Sequence, residues 1–330
     1  MKILITGASG FIGSFIVSGA LDRGMEVWAA VRKSSALTYL SDKRINLIEL
    51  DFGSEDKLRE QLAGHDFDYI VHAAGVTKCA NIADFKRVNT QGTINLVNAI
   101  INMGMPIKKM VYLSSLSIFG AIKENMPYAE ITNSDTPEPN TEYGRSKLAA
   151  ENYIDGLTSF PCVTLRPTGV YGPREKDYFL MAKSIRQHVD FAVGYKRQDI
   201  TFVYVKDVVQ AVFLALEKGH DGRKYFLSDG YVYSSSDFSN YIREELGNPW
   251  WIRITAPIWV LKIVTSIAER IGKATGKVSA LNRDKYNILR QRNWRCDITP
   301  AIEELGYKPE YNLKRGTHET IKWYKENKWL

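Results

Sequence analysis

The chain has 330 residues, with 44 Lys+Arg against 37 Asp+Glu for a formal net charge of +7, and 45% hydrophobic and 25% charged residues. Such proportions suit a globular chain of one large and one smaller domain, and exclude a disordered or fibrous one. The charge is uneven, which excludes a chain that is basic throughout: residues 1–179 hold 19 basic and 20 acidic side chains, whereas residues 250–295 hold 10 and 2.

In chain order, the first half alternates strand and helix signals. Lys2–Thr6 is a short apolar run closed by glycines, and 11–21 has helical spacing up to Arg23-Gly24. Glu26–Val31, 47–50, Tyr69–His72 and 110–113 are further apolar runs, separated by helical segments near Glu55–Leu62 and 82–103. A sixth run, 162–165, follows a helical stretch at about 142–157. This alternation predicts an α/β fold: a doubly wound parallel sheet, covered by helices on both faces and joined by right-handed crossovers. Beyond Pro173 the pattern is less regular, which places a soft domain boundary near 173. The end, 299–330, reads as two short amphipathic pieces.

Cys79, Cys162 and Cys296 lie far apart, with no CxxC and no His cluster. Neither a disulfide framework nor a zinc site is expected, and a reducing compartment is. The start, MKILITGASG, turns to glycine before a signal-peptide apolar region can form. The longest apolar stretch, 256–268, contains Lys262, and a spanning helix needs about 18 or more apolar residues. A cytoplasmic location is expected.

Gly7, Gly10 and Gly13 stand between the first strand and the first helix. They suit a tight turn, a close approach of backbone to a pyrophosphate, and close helix–strand packing, with the helix N-terminus turned to phosphate. Phe11 and Ile12 open that helix. About twenty residues on, where an acid would bind a ribose 2′-hydroxyl, the second strand ends in Val31-Arg32-Lys33-Ser34. Arg32 and Lys33 would pair with a 2′-phosphate that an acid would repel, which favours NADP(H) over NAD(H); the same pair also suits a solvated loop. Asp51 and Phe52 follow the third strand at a position suited to an adenine ring or to a plain surface loop.

Tyr143 and Lys147 are four apart and share a helix face. A phenol ordinarily titrates near 10, and a neighbouring ammonium together with a positive nicotinamide ring would lower that value and make Tyr143 an acid/base group. Ser115, at the end of the fifth strand, would hydrogen-bond a substrate oxygen.

Together these residues resemble the extended short-chain dehydrogenases/reductases of the NAD-dependent epimerase/dehydratase group. The matching stretches are Thr6-Gly7-Ala8-Ser9-Gly10-Phe11-Ile12-Gly13, His72-Ala73-Ala74-Gly75, Val88-Asn89, Ser114-Ser115, Tyr143-Gly144-Arg145-Ser146-Lys147, Arg166-Pro167 through Val170-Tyr171-Gly172-Pro173, and Phe202-Val203-Tyr204-Val205-Lys206-Asp207-Val208. The resemblance implies a Rossmann-like cofactor domain over 1–173 with contributions from about 200–230, and a smaller, mainly substrate-binding domain over 174–330. It implies Tyr143 as general acid/base, Lys147 as its tuner and ribose ligand, and Ser115 as the orienter of a carbonyl. Ala73, Ala74, Gly75, Asn89, Pro167, Thr168 and Val170 would line the cofactor, and no metal is implied. A homodimer through the helices near 82–103 and 142–157 would follow.

Two departures bear on substrate. Where nucleotide-sugar members often place an Arg two residues before the Phe of the Phe202–Asp207 motif, this chain has Ile200, with Arg197 nearby. Ala30-Val31-Arg32-Lys33 resembles the NADPH-using dihydroflavonol-reductase type. The basic stretch 250–295 adds an apolar stripe, Ile258, Leu261, Val264 or Thr265, Ala268 and Ile271, with Trp250, Trp251 and Trp259 beside it and Lys262, Arg270, Lys273 and Lys277 flanking it. That combination suits an interfacial helix or a lid over an apolar substrate, and equally an amphipathic helix packed on the smaller domain. A ketone reductase acting on a bulky lipid-like substrate is expected, resembling 3β-hydroxysteroid-dehydrogenase-type members, with peripheral contact of 250–277 with the inner membrane face and no nucleic-acid partner. The alternatives are a nucleotide-sugar epimerase or dehydratase holding NAD tightly, and a non-catalytic cofactor-sensing regulator.

Overall fold

The computed structural model describes residues 1–275 and 282–330; Lys277 lies outside the described residues. The strands are β1 (Lys2–Thr6), β2 (Glu26–Val31), β3 (Ile45–Glu49), β4 (Tyr69–His72), β5 (Lys109–Leu113), β6 (Cys162–Pro167), β7 (Gly169–Tyr171), β8 (Val189–Val193), β9 (Phe202–Tyr204), β10 (Lys224–Leu227) and β11 (Ile252–Ala256). Seven of them form one parallel sheet in the order β10-β6-β5-β4-β1-β2-β3. The chain winds outward from β1 to β3 and then returns beside β1 as β4, so the strand order reverses between β1 and β4. A crevice at the carboxyl ends of the strands forms at such a reversal.

The apolar runs are continuous because both faces of the sheet are buried. Ile3 and Ile5 of β1 pack with Ile16 of the helix Phe11–Asp22 and with Val209 and Phe213 of the helix Val205–Lys218. Leu4, pointing the other way, packs with Leu58, Leu96 and Ile154 of the helices Glu55–Leu62, Gly92–Asn102 and Glu142–Asp155. The period-2 alternation of side chains thus divides one strand between two cores.

The smaller lobe has an aromatic core of Tyr171, Phe202, Tyr204, Phe238 and Tyr324. Two parallel strand pairs, β7 with β9 and β8 with β11, lie outside the large sheet. These four strands have no separate signal in the sequence, being three to five residues long. In the segment 82–103 the helix widens to a π-turn at Lys86–Gln91, a form often met at functional sites. In the first turn of the helix Val205–Lys218, Asp207 is structural: its carboxylate accepts the backbone N–H groups of Glu310 (2.9 Å) and Tyr311 (3.1 Å), while burial raises its pKa to about 6.

A buried ion pair ties a covering helix to the sheet within the larger lobe. Arg166 of β6 donates to Glu151 of the helix Glu142–Asp155 (Nη2–Oε2 2.5 Å), with both side chains almost wholly buried. Removing one partner strands a buried charge, whereas removing both leaves packing to compensate. Arg166→Met should therefore cost about 3–5 kcal/mol in urea-induced unfolding, and the double variant R166M/E151M should recover most of that loss.

Candidate active site

A cleft of about 940 Å³ opens at the carboxyl ends of β1 to β6. Gly7, at φ +67°, makes the turn into it, and a Cβ there would stand 2.6 Å from the Ala73 carbonyl oxygen. At Gly13 a Cβ would meet the Gly7 carbonyl oxygen at 2.1 Å, so the helix packs against the turn only as glycine. Gly10 is the N-cap of Phe11–Asp22, with no side-chain cap and no acid in the first turn. The helices Glu55–Leu62 and Glu142–Asp155, by contrast, are capped by Ser54 and Thr141. The first helix therefore leaves its N-terminal amides and positive dipole end for an anion from the cleft. Phe11 and Ile12 line the same wall. This donor set fits the pyrophosphate of a dinucleotide.

Arg32 and Lys33 reach the cleft beside Ser34 and Ser35, exposed at the end of β2, and the Ser35 hydroxyl accepts the Arg32 N–H (2.9 Å). Glu49 of β3 stands at the same corner, 4.0 Å from Lys33 Nζ. Asp51 and Phe52 are on the wall as well. The Lys57 ammonium (2.8 Å) and the Gly53 N–H (2.9 Å) bind the Asp51 carboxylate and hold its pKa below the usual value.

The turn after β4 carries Ala73, Ala74 and Gly75 into the cleft. His72 is buried behind it, bonded to Thr6 Oγ1 (2.7 Å) and Thr93 Oγ1 (2.9 Å). Burial, aided by the charge of Lys147, pulls its pKa down to about 3, so it is a neutral strap and not a proton carrier. Asn89 departs from the expectation that it lines the cofactor. It is fully buried behind the wall, where its Oδ1 accepts the Val76 N–H (2.8 Å) and its Nδ2 donates to the Val76 carbonyl (3.0 Å) and Ser146 Oγ (2.9 Å). The π-turn aims it inward, and it shapes the loop that does line the cleft. Pro167, Thr168 and Val170 complete that side, with Thr168 held by the carbonyl of Thr201 (2.9 Å).

Ser115, Tyr143 and Lys147 meet at the inner end. Lys147 Nζ donates to the Leu113 carbonyl (2.7 Å) and lies 4.8 Å from the Tyr112 ring centre. Burial pulls its pKa down to about 8, and Glu151, one turn on, opposes the shift. Ser115 Oγ accepts the Ser117 N–H (3.1 Å), which leaves its own proton to donate. The expectation that Lys147 lowers the Tyr143 pKa is reversed: burial of the phenol dominates and pushes it up to about 12, with hydrogen bonding by Ser115 acting the other way. Tyr143 is a firm proton holder in this state, and lowering its pKa requires added positive charge at the ring.

The opposite wall comes from segments that carry no motif: Glu175, Asp177 and Tyr178, then Asn282, Asp284, Lys285 and Ile288. Asp284 accepts the backbone N–H groups of Glu142 (3.1 Å) and Tyr143 (3.2 Å), so the smaller lobe helps to cap the tyrosine's helix. Asp177 binds Lys78, which follows β4, and lies 3.6 Å from Lys285. The one signal for this wall is that Asp284 is one of two acids in the basic stretch.

Comparison with known proteins agrees with this geometry. The family model described as NAD dependent epimerase/dehydratase matches residues 3–227. A 3 beta-hydroxysteroid dehydrogenase/Delta 5-->4-isomerase of Mycobacterium tuberculosis is 26% identical over 98% of this chain and 90% of its own length. A UDP-glucose 4-epimerase of Vibrio cholerae is also 26% identical, over 97% of this chain and 94% of its own. Among solved structures, dTDP-glucose 4,6-dehydratase from Bacillus anthracis in complex with NAD superposes with a TM-score of 0.79 at 19% identity, covering 100% of this chain and 98% of that one. The fold is shared.

The sign of the Lys147 shift gives a stability prediction for the cofactor-free protein. Between its folded value of about 8 and the ordinary 10.5, the unfolded chain binds more protons than the folded one, so this group's contribution to stability rises with pH. The melting temperature of the wild-type chain minus that of Lys147→Met should climb from pH 8 to pH 10, measured by thermal unfolding; a flat difference would refute the buried-ammonium assignment.

Proposed function

The chain belongs to the NAD dependent epimerase/dehydratase family, and from that premise we propose that it is an NADP(H)-dependent oxidoreductase interconverting a ketone and its alcohol on a bulky, lipid-like substrate. The class is sterol-like or 3-oxo-sphingolipid-like. The observation that carries the cofactor half is the pair Arg32 and Lys33, exposed at the cleft corner where β2 ends. A 2′-phosphate there would gain charge-assisted bonds, which are stronger than neutral ones.

Two observations support the apolar substrate. Ile200 is tied by its backbone to Tyr233 (2.8 Å) and packs against the aromatic core, so it presents no cation. Arg197, its candidate substitute for holding a diphosphate, is engaged by Asp199 (2.7 Å) and does not line the cleft. The steroid-dehydrogenase relative is consistent with this reading.

The dinucleotide, once bound, supplies the hydride donor or acceptor. The chain's own part is proton handling and orientation. Tyr143 Oη holds the proton that passes to the carbonyl oxygen in reduction and returns in oxidation. Ser115 donates its free hydroxyl proton to the same oxygen. Lys147, fixed in place by its bond to Leu113, would hold the ribose of the cofactor.

A second reading, a nucleotide-sugar epimerase or dehydratase with tightly held NAD, is favoured by Lys78 and Lys285 on the substrate wall and by the epimerase relative. Native mass spectrometry of the purified chain separates the two: retained NAD together with a nucleotide sugar would overturn the reductase reading. Two variants test the assignments. Tyr143→Phe should lower turnover by about 10²–10⁴-fold while NADPH binding persists. Arg32→Glu should weaken NADPH by about 10-fold or more and leave NADH nearly unchanged, read by fluorescence titration; equal losses would refute the 2′-phosphate site.

A further inference from the structure

We infer that the face formed by β8, β11 and the helix Ile258–Thr275 docks onto an anionic lipid bilayer. The inference does not depend on the substrate assigned above. Trp250, Trp259 and Phe191 are 65%, 66% and 68% exposed, which is unusual for side chains of this size. They do not stand singly. On the β8–β11 pair, Phe191 lies opposite Ile254, with Ile252 two residues away on the same face, all exposed. The reverse face of β11 is anchored to the body: Arg253 binds Asp190 (2.6 Å) and Ser239 (2.9 Å) and stands over the Trp251 ring. The apolar face therefore has only one direction to turn. Trp250 is held in place, stacked on His188 with ring centres 4.2 Å apart.

One residue after β11 the chain enters the helix. Leu261 and Thr265 are its buried side, while Trp259, Ile263 and Ile267 repeat every four residues on the exposed side. Lys262 and Arg270 lie on that exposed arc with them. Apolar and aromatic side chains mixed with cations on one exposed face match the membrane–water interface, where tryptophan and phenylalanine enter the acyl boundary and cations meet anionic headgroups. No described helix is long and apolar enough to cross a membrane, so the contact would be peripheral.

Charge selects the occupant. The exposed arc of the helix carries the cations Lys262 and Arg270 among its apolar side chains. A two-fold contact with a second copy sets the same patch against itself and so opposes cation to cation. A bilayer offers both an apolar interior and negative charge.

The test uses the full chain and vesicles of phosphatidylcholine, with and without phosphatidylglycerol. Co-sedimentation is expected with the mixed vesicles, weakening with salt and much weaker on phosphatidylcholine alone. The double variant W259E/I263E, at exposed positions, should lose at least 10-fold in vesicle affinity while keeping its melting temperature and NADPH binding; K262E/R270E should lose the preference for anionic lipid. Failure of the wild-type chain to sediment with mixed vesicles, or undiminished binding by W259E/I263E, would overturn the inference. Dissociation of a wild-type dimer by W259E/I263E in sedimentation velocity would also overturn it, by assigning the face to a second copy.

Discussion

An ammonium buried at the carboxyl end of β5 is the constraint around which the site is arranged. Lys147 gives up most of its hydration, and the protein compensates with one strand carbonyl, one aromatic face and one carboxylate a helical turn away. That carboxylate, Glu151, is itself buried and held by Arg166. The chain of charges Lys147, Glu151 and Arg166 runs from the cleft through the helix into β6. Each member makes the next tolerable in a low-dielectric interior. Tyr143 shares this helix, so its position is set by the electrostatics of residues that never touch it.

The same burial explains why two ionisable groups depart in opposite directions from their free values. Desolvation penalises whichever form is charged, so it raises the phenol and lowers the ammonium. At neutral pH the phenol therefore keeps its proton, while the ammonium, lowered only to about 8, stays largely charged. A cationic nicotinamide ring would reverse that balance at Tyr143. The acid/base property is thus a joint product of side chains and cofactor, which a Tyr and a Lys four residues apart do not reveal.

Legibility in the sequence followed locality. The sheet was readable because strands buried on both faces become unbroken apolar runs, and the glycine turn because its contacts demand the absence of a Cβ. Ser115, Tyr143 and Lys147 were readable because their spacing and a family resemblance coincide. Asn89 stands behind the cleft wall, bound to the Val76 backbone; a motif position does not say whether a side chain faces a ligand or supports the loop that does. The wall of Asp177, Asp284 and Lys285 was invisible: its members are brought together only by tertiary folding, across more than a hundred residues. The direction of the Tyr143 shift was missed for a related reason, because depth of burial is a property of the whole fold.

Asp284 also bears on modularity. The start of the tyrosine's helix takes two of its backbone acceptors from a residue about 140 positions downstream, and the sheet takes its edge strand β10 from beyond the cofactor half. The boundary near 173 therefore marks a change of role along the chain, not a place to cut. A fragment ending there would keep the glycine turn and the Thr141 cap, yet the first two amides of its catalytic helix would lose their acceptors and β6 would become the sheet's edge. The cofactor half is complete only as part of the whole.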